Sequence, residues 1–128
     1  MSAMSDYLEN EILDHILATA SYTAPATVYV GLSTGSFGDD NSGTELSGSG
    51  YGRVAASFGV AASGTASNDA AIEFSAATGS WGTVSHFGLF DASSAGNLLI
   101  HGSFTASKVI DTGDILRIQT GDLDVSAD

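Results

Sequence analysis

Cysteine is absent from the 128 residues, so disulfides and thiolate metal centres are excluded. Cationic side chains are nearly absent too: Arg53, Lys108 and Arg117 stand against 15 Asp and Glu, for a formal charge of -12. The three cations are too scattered along the chain to form a basic patch, and the acidic excess repels a phosphate backbone or an anionic membrane surface. Direct partnership with nucleic acid or membrane is therefore not expected. No apolar run approaches the roughly 18 residues of a membrane span. The opening MSAMSDYLENEILDHIL is acidic and amphipathic where a secretory signal needs a basic segment followed by an apolar one, so the expected product is soluble and made in the cytoplasm. A chain of this length holds one compact domain.

What is present changes character once along the chain. In SDYLENEILDHILATA the apolar residues Leu8, Ile12, Leu13, Ile16 and Leu17 recur at helical spacing, with Glu9, Asn10, Glu11 and Asp14 on the polar side. A helix from about Asp6 to Ala18 follows, capped by Ser5 or Asp6 and ended before the single proline, Pro25. Beyond it the apolar period becomes two. Val28, Val30 and Leu32 share a strand face, as do Val54, Ala56 and Phe58; Ile72 pairs with Phe74. In VSHFGLF, Phe87 and Leu89 oppose His86, Gly88 and Phe90, and in NLLIHGSF, Leu98, Ile100 and Phe104 oppose Leu99 and His101. DILRIQ and DLDVS complete the set. The segments between are rich in Gly, Ser and Asp, above all STGSFGDDNSGTELSGSG. The fold expected is mainly β: an antiparallel β-sandwich or barrel of about seven short strands with one N-terminal amphipathic α-helix. Residues 1–22 form the helix and arm, and 23–128 a single β-domain.

Clusters of reactive side chains occur at several places, and none carries a complete motif. GLSTG at 31–35 leaves a strand for a loop with no helix after it and has its serine out of order for a nucleophile elbow; GSGYG at 48–52 stands before a strand. His86 and His101 fall in successive strands and could face one another, yet a third ligand cannot be derived, and strand histidines bonded to backbone are common. Asp39, Asn41 and Glu45, with Gly43 for a turn, faintly resemble a calcium loop without the length or flanking helices of one. Catalytic, cofactor-binding and metal residues are accordingly assigned as none, with no cofactor and no enzymatic activity. Trp81, Gly82 and Gly88 in GSWGTVSHFGLFD read as packing, the glycines admitting a close neighbour and the indole needing a partner for its N–H.

Taken in order, DYLENEILDHIL, PATVYVGLST, GYGRVAASFG, SNDAAIEF, WGTVSHFG and NLLIHG resemble a family of small tailed-bacteriophage virion structural proteins often labelled tail-fibre-like. The resemblance covers nearly the whole chain and carries over no catalytic residue. It implies a non-enzymatic component of the virion, assembled in the host cytoplasm, and a homo-oligomer with a trimer as the family-level expectation. A host-reaching fibre needs length, and no fibrous repeat is present. The favoured role is therefore capsid decoration, a cement protein binding the major capsid protein or another virion protein. A tail-fibre or receptor-binding adhesin component comes second, and a carbohydrate-binding β-sandwich module third. The expected partner-contact residues are Leu8, Ile12, Leu13, Ile16 and Leu17, the stripe of an attachment helix.

Overall fold

A computed structural model describes residues 2–127. The elements in chain order are β1 (Ser2–Met4), α1 (Asp6–Ile16), β2 (Val28–Ser33), β3 (Val54–Ala56), β4 (Thr65–Ser67), β5 (Ile72–Glu73), β6 (Gly82–Phe90), β7 (Leu98–Ile110), β8 (Arg117–Ile118) and β9 (Asp124–Ser126). A five-stranded sheet in the order β1-β7-β6-β2-β3 is accompanied by two small sheets, β4-β9 and β5-β8, and every pairing is antiparallel. The expected mainly β, sandwich-like fold with one short N-terminal helix is what the chain adopts. Two strands have no counterpart in the sequence reading. β1 precedes the helix, and β4 is a Thr-Ala-Ser segment; neither shows the apolar alternation that marks a half-buried strand.

Register turns the pleat into two faces. Val30 lies opposite Leu89, and Leu89 opposite Ile100; Leu32 lies opposite Phe87. This row meets Ile72, Phe74, Leu116, Ile118 and Leu123 from the small sheets and their flanks, forming the main core, in which Val30 and Leu32 are fully buried. Trp81 closes one end, edge-on to Tyr51 with ring centroids 5.6 Å apart, and its Nε1 donates to the Ser49 carbonyl at 2.9 Å. Burial of each such side chain stabilises the fold by roughly 1.5–3 kcal/mol.

The other face carries a smaller core of Phe37, Phe90 and Leu98. Phe37 comes from the long Gly/Ser/Asp loop, which folds back across the sheet and sets its ring edge-on to Phe90 at 5.5 Å. Glycine makes this approach feasible. A Cβ on Gly88 would lie 2.9 Å from Leu98 and 3.1 Å from Phe37, and one on Gly31 2.8 Å from Glu45 Oε2. Gly82 differs from the expectation: it has only Thr34 at 3.6 Å, and its φ of 78° shows that the backbone, rather than a neighbour, requires glycine there. Leu98 differs as well. The register shifts between Leu89 and Phe90 because Leu99 is an extra residue on β7, so Leu98 sits on the face opposite Ile100 instead of beside it.

Candidate functional site

The helix is held at its base. Ser5, buried, caps α1 by accepting from the Leu8 N–H at 3.2 Å and donates its hydroxyl to the Leu98 carbonyl. The Ser5 N–H reaches the Leu99 carbonyl at 2.8 Å, and that of Asp6 the Asp39 carbonyl at 2.9 Å. β1 adds its own ladder to β7, and Ser2 accepts from the Ser126 N–H at 2.9 Å, tying the start of the chain to β9.

The far end of α1 is equally defined. The Thr19 N–H bonds the Asp14 carbonyl at 2.9 Å and the Ala18 N–H bonds that of His15 at 3.4 Å, a Schellman ending in which Ala18 takes the left-handed conformation usually given to glycine. His15 Nδ1 accepts from the Tyr22 N–H at 3.1 Å, so this histidine fastens the returning chain to the helix.

Between these two anchors the five stripe residues divide. Leu8 is buried at 8 % exposure beside Leu99 and Ile100, where it serves the protein's own packing, and Ile12 is half-buried. Leu13, Ile16 and Leu17 are 55 %, 70 % and 67 % exposed. Their i, i+3, i+4 spacing gathers them into one apolar spot, with the carboxylates of Glu9 and Asp14 at neighbouring helical positions. A clustered apolar spot on an ordered helix marks an interaction surface more than a lone exposed leucine would.

The residues weighed for chemistry have structural partners. His86 Nδ1 lies 2.7 Å from Ser85 Oγ, and His101 Nε2 lies 2.7 Å from Asp39 Oδ1. Both histidines line one shallow groove with Ser36 and Ser103. Asp39 and Glu45 of the loop turn to different partners, and among the described residues no three His, Asp or Glu side chains gather at metal-binding distance. Gly43 serves close approach rather than an open turn, since a Cβ there would fall 2.6 Å from the Phe37 Cα.

Two arrangements were missed in the sequence. The first is a clamp around Arg53, which donates from Nε to Glu45 Oε2 at 2.9 Å and from its two terminal nitrogens to Glu45 Oε1, Ala92 O and Ala95 O, each at 2.8 Å. Its guanidinium also stacks 3.6 Å over the Phe90 ring. Tyr51 completes the clamp, accepting from the Leu32 N–H at 2.9 Å and donating to Glu45. Burial, together with the hydrogen bond to Glu45, pushes the Tyr51 hydroxyl well above its ordinary pKa. The signal was present in GYGR with a glutamate shortly before it, but Arg53 reads in isolation as one scattered cation.

The second is a groove of about 320 Å³ where β7 bulges away from β6. Phe104, Leu116 and Ile118 line it, as do Lys108 and Arg117. Antiparallel pairing of β5 with β8 brings Arg117 beside Glu73 at 3.2 Å, and Arg117 and Lys108, nine positions apart in sequence, both line the groove.

A family model described as Podophage GP4 fiber I protein gp80 matches residues 3–126. The chain belongs to this family. The match runs from β1 through β9, and so takes in the helix, the Arg53 clamp and the groove alike. Membership in a podophage fibre family makes the protein a bacteriophage virion component of tail-fibre-like type, which speaks for a structural role over an enzymatic one. No curated protein matches the chain. Among the described residues no helix is long and apolar enough to cross a membrane.

Proposed function

We propose that the protein is a non-enzymatic building block of the phage fibre, fixed in the virion through the exposed end of α1. The observation that carries this reading is the apolar spot of Leu13, Ile16 and Leu17 on a helix anchored at both ends. A docking element works best when its geometry is set beforehand, because little ordering entropy is then lost on contact. Replacing Leu13→Asp together with Ile16→Asp in the phage genome is expected to leave a soluble, folded protein that is lost from purified particles, read by quantitative mass spectrometry of virions. Full occupancy by the folded double variant overturns the reading.

Capsid decoration is the second reading, with the major capsid protein as partner. It is favoured by size: β7, with 13 residues the longest strand described, spans only about 43 Å at roughly 3.3 Å per residue, little reach for a fibre acting alone. Gold-labelled antibody on intact particles separates the two, since label over the head supports decoration and label confined to the tail supports the fibre.

A further inference from the structure

Two features of this molecule complement one another. The first is the helix end, where Leu13, Ile16 and Leu17 are exposed and acidic residues surround them; α1 carries Asp6, Glu9, Glu11 and Asp14 and no Lys or Arg. The second is the groove beyond the β7 bulge, lined by the apolar Phe104, Leu116 and Ile118 together with Lys108, Arg117 and Asp122. The chain has three Lys and Arg residues, and the remaining one, Arg53, is engaged within the clamp. The groove thus gathers Lys108 and Arg117, the latter in an exposed pair with Glu73 at 3.2 Å, on a protein whose charge is -12. An acidic, apolar helix is the surface chemistry that such a groove accepts, and a second copy of this chain supplies one.

We infer that the α1 end of one copy docks in the β7–β8 groove of the next, with Leu13, Ile16 and Leu17 against the apolar floor and Glu9 and Asp14 toward Lys108 and Arg117. The contact is between copies because α1 packs on β1 and on the Leu98–Ile100 end of its own β7, whereas the groove lies past the bulge at Phe104. Helix into groove is a heterologous contact: each copy gives one surface and receives the other, so repetition closes a cyclic oligomer or runs on as a filament. Opposite charge at the contact also offsets the general repulsion between two strongly acidic molecules and selects the register in which they meet.

This inference rests on the reading of α1 as the attachment element and names what it attaches to. The test uses two broken forms of the full chain: Leu13→Asp with Ile16→Asp, which keeps the groove, and Lys108→Glu with Arg117→Glu, which keeps the helix. Wild-type protein is expected to sediment as an oligomer, and each broken form to self-associate roughly tenfold or more weakly. A mixture of the two is expected to form a one-to-one dimer, because one intact helix then meets one intact groove. The altered side chains are solvent-facing, and circular dichroism verifies each fold; should a charge reversal unfold the chain, Lys108→Ala with Arg117→Ala takes its place with the same expectation. A monomeric wild type, a broken form that keeps the wild-type oligomer, or a mixture that stays monomeric overturns the inference. Loss of the helix-broken form from virions despite a monomeric wild type defeats the docking between copies alone and assigns the helix to a different virion protein; retention in virions defeats the attachment reading itself.

Discussion

The two faces of the five-stranded sheet are built by different physics. One is covered by side chains arriving from two small sheets, so that Val30, Leu32, Phe74, Val84 and Trp81 meet with little water between them. The other holds just Phe37, Phe90 and Leu98 as its buried apolar cluster, and relies on the Arg53 clamp, the His101–Asp39 pair and two glycines that admit a folded-back loop. The first face tolerates shifts in side-chain shape and responds mainly to lost volume. The second depends on directional contacts, in which deletion of one partner leaves another without its complement. Its contacts also fix the loop that receives the Asp6 N–H, so the polar face positions the helix.

Truncation in the apolar face is expected to have the largest effect. Trp81→Ala removes the ring that packs against Tyr51 and Phe74 and leaves the Ser49 carbonyl without the indole N–H. A loss of about 3–5 kcal/mol is expected, measured as a shift in the urea midpoint at unchanged slope. A loss below about 1 kcal/mol would show that the small sheets can collapse onto the space, and that the contrast between the faces is overstated.

The clamp comes next. Arg53→Ala strands Glu45, of which 23 % of the side chain is exposed, and frees the carbonyls of Ala92 and Ala95. Loss of about 3 kcal/mol is expected. Arg53→Lys should recover little of it, because one ammonium cannot reproduce the forked contact to both carboxylate oxygens and stack on Phe90 as well. Substantial rescue by lysine would mean that charge alone matters at this site.

These differences explain what could be read from the sequence and what could not. β2, β6 and the helix announce themselves through apolar periodicity, which depends on neighbours within the same segment. β1 and β4 exist because β7 and β9 offer them partners, and Ser-Ala-Met or Thr-Ala-Ser carries no trace of that. The bulge at Leu99 inverts Leu98 through strand register, a property of two segments together. In the candidate site, the stripe of α1 was legible as a stripe, but its division into a buried Leu8 and an exposed Leu13, Ile16 and Leu17 depends on where β1 and Ser5 fasten the helix. The groove was invisible for the same reason, since Lys108 of β7 and Arg117 of β8, which lie in different sheets, line it together only in the folded chain.

A smaller, pH-dependent effect isolates the polar face. Burial and the bond to Glu45 raise the Tyr51 pKa above its ordinary 10.0, so the folded state retains a phenol proton that the unfolded chain gives up. Below pH 10 both states are protonated and the stabilisation is complete; as pH rises beyond it the unfolded state alone ionises, and stability falls by about 1.4 kcal/mol per pH unit. Denaturant titrations from pH 8 to 11 should show this decline in the wild type and a flatter profile in Tyr51→Phe. Parallel profiles would assign the alkaline sensitivity to other tyrosines, of which Tyr7 and Tyr22 are also shifted upward.

The smallest effect expected on stability lies at the end of α1, and its contrast with the base is informative. Leu8→Ala opens space beside Leu99 and Ile100 and is expected to cost about 2–3 kcal/mol, whereas Ile16→Asp changes a side chain that is 70 % exposed and should stay within about 0.5 kcal/mol of wild type. Ile16→Asp even removes apolar surface from water, so an unchanged melting temperature combined with lost assembly is the signature of a surface kept for a partner. A large destabilisation by Ile16→Asp would mean instead that the helix end packs within its own chain. With that outcome the same pair of variants sharpens the comparison of faces: the base of α1 belongs to the packed domain, and its end is a surface left free for a partner.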